Sequence, residues 1–309
     1  MINNTYYLHE GRTDVSLKTY VINEAGEMNT QGARPAVLIL PGGAYLNCSD
    51  REAEPIALRF AAMGYHAFVL RYSTYGEGKP GFPEEIFQPE FEVKPHLAHP
   101  APVMEVAMAM QMIADHAKEW CVDTEKIAIC GFSAGSHNAA MYGVYWNKEP
   151  INGVKPAALI LAYPLTDYLM MKVADQNDMM KMFFKRSTSA FLGKKIWTDE
   201  ELILVSPALL VDENTPPTFL WATAKDGMVP VQQSLRMSQA LADHKIPFEL
   251  HVFEEGDHGL ALADQSTAMA YEQINADAAQ WVGLAERWLA KRFALQLPER
   301  LPGFENSVV

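Results

Sequence analysis

The feature that most constrains the fold of this chain is a series of short, uniformly apolar runs separated by helical patterns. Each run is five to seven residues long and hydrophobic throughout, which is typical of strands buried on both faces of a parallel sheet. The runs are Ala36–Leu40, His66–Tyr72, Lys126–Cys130, Ala157–Tyr163, Thr218–Thr223 and Phe248–Phe253. Strands that alternate with helices predict right-handed βαβ units and a doubly wound, mostly parallel sheet of the α/β class.

Further patterns complete the predicted architecture. Val15–Ile22 follows a turn-like segment and predicts the second strand of an N-terminal antiparallel hairpin. Glu52–Met63 predicts a helix that ends before Gly64. Two apolar stripes at helical spacing predict one helix before Lys126 and another near the C-terminus. The first stripe is Val103, Val106, Met110 and Ile113, and the second is Trp281, Leu284 and Trp288.

Two long segments interrupt this alternation. Residues 76–100 hold five prolines, and residues 167–217 hold a cluster of methionine and phenylalanine side chains. Long insertions between core elements usually cover a site or form an interaction surface. We therefore expect a single domain over residues 1–309, with an insertion at 76–100 and a partly helical cover at 167–217. The cluster in the second segment equally fits an ordinary amphipathic helix that packs on the core.

Composition excludes several classes of function. The chain carries 25 Lys and Arg against 38 Asp and Glu, a net charge of −13. This charge opposes non-specific binding to nucleic acid or anionic lipid, since both need an attractive basic field. No apolar stretch approaches the ~20 residues of a membrane span, and the N-terminus lacks the pattern of a secretory signal. We expect a cytoplasmic protein with no nucleic-acid partner and no membrane span, and a homo-oligomer is an open alternative.

Cysteine usage and motif content exclude further classes. Three cysteines cannot all pair with one another, so a disulfide scaffold is not expected. The sequence contains no H-E-x-x-H, no paired C-x-x-C, no P-loop and no G-x-G-x-x-G after a strand. We therefore expect no metal and no cofactor.

A G-x-S-x-G pattern lies where a strand is predicted to give way to a helix. Gly131–Gly135 directly follows the run Lys126–Cys130 and precedes a helix-compatible stretch. A serine on such a strained turn needs small neighbours, because the helix packs close to the strand. The pattern predicts Ser133 as a nucleophile whose hydroxyl points to the carboxyl ends of the strands, with the Ala134 N–H at the place where an oxyanion forms.

A serine nucleophile needs a histidine base that is itself oriented by an acid. Asp226 follows the run Thr218–Thr223 in a glycine turn, and His258 follows the run Phe248–Phe253 in a loop that ends in glycine. These positions predict Asp226 as the acid and His258 as the base. Asp257 is an alternative acid. His137 lies four residues after Ser133 and is expected to have a structural role.

The oxyanion needs a second source of N–H groups. Gly42 and Gly43 follow the run Ala36–Leu40, and glycines there let the backbone approach a ligand closely. We expect the N–H groups of Gly42, Gly43 and Ala134 to form the oxyanion hole. A plain tight turn is the alternative.

Together these motifs resemble the α/β-hydrolases of the esterase/lipase type, close to small bacterial carboxylesterases and acetyl-xylan-esterase-like enzymes. The resemblance runs from about Val15 to Phe293. It includes the elbow at Ser133, the acid turn at Asp226 and the histidine loop at His258. The chain departs from the His-Gly-Gly-Gly oxyanion loop of the hormone-sensitive-lipase-like branch, because Pro41 replaces the histidine and Ala44 the third glycine.

The resemblance implies a serine carboxylesterase for short-chain acyl esters, acetyl above all, with carbohydrate esters as one class of small-molecule substrate. Two alternatives keep the same fold. A serine peptidase would use the same residues on an amide, but such enzymes usually carry a large N-terminal gating domain. A non-catalytic binding protein would be expected to lack one of Ser133, Asp226 and His258, whereas all three are present.

Overall fold

Strands in the computed structural model, which describes residues 1–23, 32–174, 176–295 and 297, form one sheet of eight. They are β1 (Thr5–Tyr7), β2 (Ser16–Tyr20), β3 (Arg34–Leu40), β4 (His66–Arg71), β5 (Val122–Phe132), β6 (Ala158–Ala162), β7 (Thr218–Thr223) and β8 (Phe248–Phe253). The strand order is β1-β2-β4-β3-β5-β6-β7-β8. The pairs β1–β2 and β2–β4 are antiparallel and all the others are parallel, which confirms the predicted fold class.

Helices cover both faces of this sheet. They are α1 (Glu54–Ala62), α2 (Ala101–Asp115), α3 (Ala117–Trp120), α4 (Ala134–Tyr145), α5 (Tyr168–Lys172), α6 (Asp178–Leu192), α7 (Asp199–Ile203), α8 (Gln232–Asp243) and α9 (Trp281–Phe293). Apolar residues of α2, α4 and α8 pack on one face, and those of α1 and α9 pack on the other. No helix in these described ranges is long and apolar enough to cross a membrane.

Strand β3 shows why the apolar runs are uniform rather than alternating. Leu38 and Leu40 belong to the hydrophobic cluster on one face, and Val37 and Ile39 belong to the cluster on the other. All four side chains are fully buried. Successive side chains of a strand point to opposite faces, so a strand between two helical layers must be apolar at every position.

The strand order brings two loops together at one point of the sheet. Strand β3 lies between β4 and β5, so the chain leaves β3 in one direction and later returns on its other side as β5. Such a reversal opens a crevice at the carboxyl ends of the two strands, where ligands bind in open α/β sheets. The loop after β3 and the loop after β5 therefore meet there, and these loops carry Gly42 and Ser133.

The region around Glu52 differs from its sequence-based prediction. The helix predicted over Glu52–Met63 begins at Glu54, and Glu52 ends a separate 3-10 turn over Asp50–Glu52. Ala53 has a non-helical conformation between the two, and Pro55 occupies the first helical turn, where its missing N–H costs nothing. Glu52 is consequently turned into the protein, with only 4% of its surface exposed.

The two long segments outside the alternation contact each other. Residues 76–100 contain two 3-10 turns, Glu84–Phe87 and Pro95–Leu97, and residues 167–217 contain α5, α6 and α7. A small hydrophobic cluster joins them, with Ile86 and Phe91 from the first segment and Phe183 and Ala190 from α6. This cluster is separate from the clusters on the two faces of the sheet.

Candidate active site

Ser133 lies on a sharp turn between β5 and α4. Its backbone has φ 51° and ψ −116°, a strained conformation that L-residues rarely adopt. Its N–H donates to the Ala162 carbonyl at 3.0 Å, which ties the turn to the end of β6. A Cβ on Gly135 would lie only 2.0 Å from the Leu40 carbonyl oxygen, so α4 needs glycine there to pack against β3.

His258 joins Ser133 to Asp226 through two hydrogen bonds. Its Nε2 lies 2.8 Å from Ser133 Oγ, and its Nδ1 lies 2.7 Å from Asp226 Oδ2. The second carboxylate oxygen, Asp226 Oδ1, accepts the N–H groups of Met228 and Val229 at 2.9 and 2.8 Å. The structure thus brings together three residues that are far apart in sequence and follow β5, β7 and β8.

The surroundings of this arrangement favour a charged imidazole. Only 11% of the His258 side chain and 1% of the Asp226 side chain are exposed. Burial lowers the pKa of His258, but the charge and hydrogen bond of Asp226 and the charge of Glu52 outweigh it, so the pKa is raised above 6.5. A base of raised pKa is well suited to hold a proton taken from a serine hydroxyl.

Two other residues considered in the sequence take different positions. Asp257 is exposed to solvent, and the Nδ1 atom of His258 is bonded to Asp226 instead. His137 is fully buried, with Nδ1 2.7 Å from the Tyr45 hydroxyl and Nε2 2.8 Å from the Val205 carbonyl. Burial lowers the pKa of His137 to about 3, so this imidazole is neutral and supports the loop that carries Tyr45.

The loop after β3, residues 42–47, lies against the serine turn. A Cβ on Gly42 would lie 2.6 Å from the Phe132 carbonyl oxygen and 2.9 Å from Ser133 Cβ, so only glycine fits there. The Gly42 N–H, however, donates to Glu52 Oε2 at 2.8 Å. This is at odds with the expected role of Gly42 as an oxyanion donor, because a buried carboxylate already occupies its N–H.

Three N–H groups near that of Gly42 have no such acceptor among the described residues. In the described part of the chain, no acceptor takes the N–H of Gly43, Ala44 or Ala134. Ala44 has a positive φ of 57°, and its carbonyl accepts the Ser187 hydroxyl at 2.8 Å, which fixes the direction of its peptide groups. In this part of the chain the N–H groups of Gly43, Ala44 and Ala134 are therefore available to an oxyanion, whereas the N–H of Gly42 is not.

A small apolar cavity opens beside Ser133. Its volume is about 40 Å³, room for roughly three water molecules. The wall combines Ala44, Tyr45 and Ala134 with side chains from α5 and α6. The larger apolar residues of this wall are Leu165, Tyr168, Met171, Met180, Phe183 and Phe184, together with Met228 and Val229 of the turn after Asp226.

Only part of the predicted methionine cluster lines this cavity. Met171 and Met180 do so, whereas 67% of the surface of Met179 is exposed to solvent. Sequence alone could not assign these orientations, because adjacent methionines on a helix differ in direction by about a quarter turn.

Comparison with known families identifies the class of protein. The BD-FAE family profile matches residues 26–241, more than half of the chain, and the chain belongs to that family. A solved structure with the same architecture is an α/β-hydrolase from a Medee basin deep-sea metagenome library. It has a TM-score of 0.70 and 31% identity, over 94% of this chain and 97% of that one.

Two relatives of known name are enzymes that act on xylan or its acetyl esters, as their names state. The chain is 32% identical to endo-1,4-beta-xylanase B of Butyrivibrio fibrisolvens over 243 residues, 76% of this chain and 34% of that protein. It is 26% identical to an acetylxylan esterase of Xylanibacter ruminicola over 251 residues, 80% of this chain and 45% of that one. The chain thus spans less than half the length of either relative.

A carboxylesterase structure from Lactobacillus plantarum, Cest-2923, has a TM-score of 0.75 and 26% identity, covering 96% of this chain and all of that one. These similarities confirm the prediction that the chain is an α/β-hydrolase of the esterase/lipase type.

Proposed function

We propose that the chain is a serine carboxylesterase that hydrolyses short-chain acyl esters, acetyl above all, through an acyl-enzyme on Ser133. The observation that carries this proposal is the continuous hydrogen-bonded path from Ser133 through His258 to Asp226 beside a small apolar cavity. The names of the relatives support carbohydrate esters as the substrate class.

The first half of the reaction forms the acyl-enzyme. His258 Nε2 takes the proton of the Ser133 hydroxyl while Oγ attacks the ester carbonyl carbon. The N–H groups of Gly43, Ala44 and Ala134 stabilise the oxygen that becomes negative. The imidazolium then gives its proton to the departing alcohol, and Asp226 stabilises the charged ring meanwhile. In the second half, His258 activates water in the same way, and the acid product leaves Ser133.

We propose that the acyl part and the alcohol part of the ester bind in different surroundings. The apolar cavity beside Ser133 takes the acyl group, and its small volume of about 40 Å³ favours a short acyl chain. A polar cleft of about 490 Å³ reaches the end of the loop 42–47 at Asn47, and Asp50 and Arg51 also line it. We assign this cleft to the alcohol part of the ester, where hydroxyl groups of a sugar find both donors and acceptors.

The test is a substrate panel with a serine variant. The wild-type protein should hydrolyse p-nitrophenyl acetate and acetylated sugars much faster than p-nitrophenyl octanoate or matched amides. Ser133→Ala should lower kcat by about 10⁶-fold with an unchanged melting temperature, since the turn accepts a smaller side chain. Activity of this variant within tenfold of wild type would remove Ser133 from the role, and preferred turnover of amides would favour a peptidase.

Labelling gives a second, substrate-independent readout. A fluorophosphonate should modify one serine, and peptide mapping should place the label between Lys126 and Tyr142. The Ser133→Ala protein should stay unlabelled. Label on another peptide would contradict the assignment of the nucleophile.

A further inference from the structure

A buried carboxylate without a role in the proposed chemistry lies below the site. Glu52 accepts the Gly42 N–H on Oε2 at 2.8 Å and the Tyr163 hydroxyl on Oε1 at 2.6 Å. Both oxygens act as acceptors, which is the pattern of an ionised carboxylate. Burying a carboxylate between neutral donors costs stability, so its presence calls for a compensating use.

Tyr163 extends this contact to the histidine loop. Its hydroxyl oxygen accepts the Ala261 N–H at 3.1 Å, three residues after His258. Its ring packs edge-on against the His258 imidazole, with centroids 5.0 Å apart. One chain of hydrogen bonds therefore joins the loop 42–47, which we call the oxyanion loop, to the histidine loop that carries His258. It runs through Gly42, Glu52, Tyr163 and Ala261.

We propose that Glu52 is a positioning residue for the reaction: it fixes the oxyanion loop relative to the histidine loop, and its charge stabilises the imidazolium of His258. The proposal rests on the proposed function for its kinetic part only. The structural part follows from the contacts of Glu52, and the electrostatic part can be measured on the imidazole itself without a substrate.

The groups that face His258 decide the sign of this effect. Asp226 bonds its Nδ1, Glu52 acts on it through its charge, and Tyr163 covers its ring. Burial and the nearby Glu52 hold the pKa of Tyr163 well above its ordinary value, so this phenol is neutral. The positive charge of Arg51 lowers the pKa of Tyr163, but by less than burial and Glu52 raise it. Arg51 Nε donates to the Thr267 carbonyl. Removal of the Glu52 charge should therefore lower the pKa of His258.

The chain offers a matched control in a second buried glutamate. Glu105 on α2 is 1% exposed and accepts the N–H and hydroxyl of Ser73 at 2.6 and 2.5 Å. It also lies 2.9 Å from His9 Nε2 and so ties the N-terminal hairpin to the core. Like Glu52, it is a buried carboxylate on a backbone N–H, but its contacts lie away from His258.

The experiment compares Glu52→Gln with Glu105→Gln. We expect Glu52→Gln to lower kcat on an acetyl ester by about tenfold, less than the loss of an oxyanion donor itself. The acid limb of kcat/KM and the NMR titration of the His258 ring should both move to lower pH, because the imidazolium has lost a stabilising charge. Glu105→Gln should lower the melting temperature and leave both titrations unchanged.

Specific outcomes overturn the proposal. An unchanged His258 titration in Glu52→Gln, or an equal shift in Glu105→Gln, would leave Glu52 with a purely structural role. If the wild-type protein had no esterase activity, the proposed function would be wrong. The NMR titration of the His258 ring would still show whether the charge of Glu52 raises its pKa.

A second variant keeps the proposal testable if Glu52→Gln does not fold. Tyr163→Phe removes the bridge and keeps the charge, so kcat should fall several-fold while the His258 titration does not move to lower pH. Wild-type kcat in that variant would contradict the positioning role.

Discussion

Two regions of the molecule meet at Ser133, and they are held in place in different ways. Ser133, Asp226 and His258 follow β5, β7 and β8, whose spacing is fixed by the parallel ladder that runs through β6. The cavity wall from α5 and α6 is held by side chains. Phe183 packs with Ile86 and Phe91, and Arg186 donates to two carbonyls of the segment 76–100.

This difference suggests that reactivity and acyl selectivity are separable. In the proposed mechanism, a change at the sheet edge alters groups that act on the reacting atoms of every ester, so it should lower turnover for all substrates alike. In the same proposal, a change in the α5 and α6 part of the wall alters the space around the acyl chain, so it should change the ratio between substrates. Variants in the two regions test this separation.

The largest effect is expected at the sheet edge. Asp226→Asn should lower kcat about 10⁴-fold on acetyl and butyryl esters alike, since an amide no longer holds His258 in the required tautomer. Steady-state kinetics with both esters measures this. Asp257→Asn is the matched control, because Asp257 adjoins His258 but is exposed, and it should change kcat by less than about twofold. The reverse order of effects would exchange the two roles.

An intermediate effect is expected in the wall. Replacing Met171 and Met180 with Ala should enlarge the cavity and raise hexanoate turnover relative to acetate by about tenfold. Each methylene that is newly buried contributes up to about 0.8 kcal/mol. The measurement is kcat/KM for p-nitrophenyl esters of two to eight carbons.

Met179→Ala is the control for this double variant, because Met179 lies on the same helix as Met180 but points to solvent. Its chain-length profile should equal that of wild type. A double variant that loses thermal stability with an unchanged profile would show that these methionines only pack the core.

The sheet edge could be predicted from sequence because its rules are local and general. Uniformly apolar runs identify buried strands, and the small residues around Ser133 and Asp226 identify the loops that follow them. The parallel arrangement then places these loops at one edge. For this reason the residues of β5, β7 and β8 led directly to Ser133, Asp226 and His258.

The cavity wall and the contacts of Glu52 depend on tertiary contacts that sequence patterns do not encode. The sequence predicts Glu52 as the first residue of a helix, yet the non-helical Ala53 turns it into the core. Its bond to Gly42 joins residues that belong to separate local patterns. That Glu52 is buried can be recognised only once the tertiary structure is known. The same holds for the contact between segments 76–100 and 167–217.

The smallest effect is expected where those two segments touch. We propose that residues 76–100 brace α6, which in turn forms the wall of the acyl cavity. Arg186 Nη2 donates to the carbonyls of Gln88 and Pro89 at 3.1 Å each, and its guanidinium lies 5.0 Å from the centre of the Phe91 ring. Together these partly exposed contacts contribute roughly 1–2 kcal/mol.

Arg186→Ala should therefore loosen the brace without unfolding the protein. Turnover of acetyl esters should stay within about twofold of wild type. The preference for acetate over hexanoate should weaken by about two- to threefold, since only part of the free energy of this contact changes the shape of the cavity. Limited proteolysis should cut residues 76–100 faster than in wild type, since local opening becomes easier. The exposed neighbour Lys185→Ala should behave as wild type in both assays. Equal proteolysis rates for Arg186→Ala and Lys185→Ala would mean that packing of Phe91 and Phe183 alone holds the two segments together, and that Arg186 contributes nothing to the shape of the cavity.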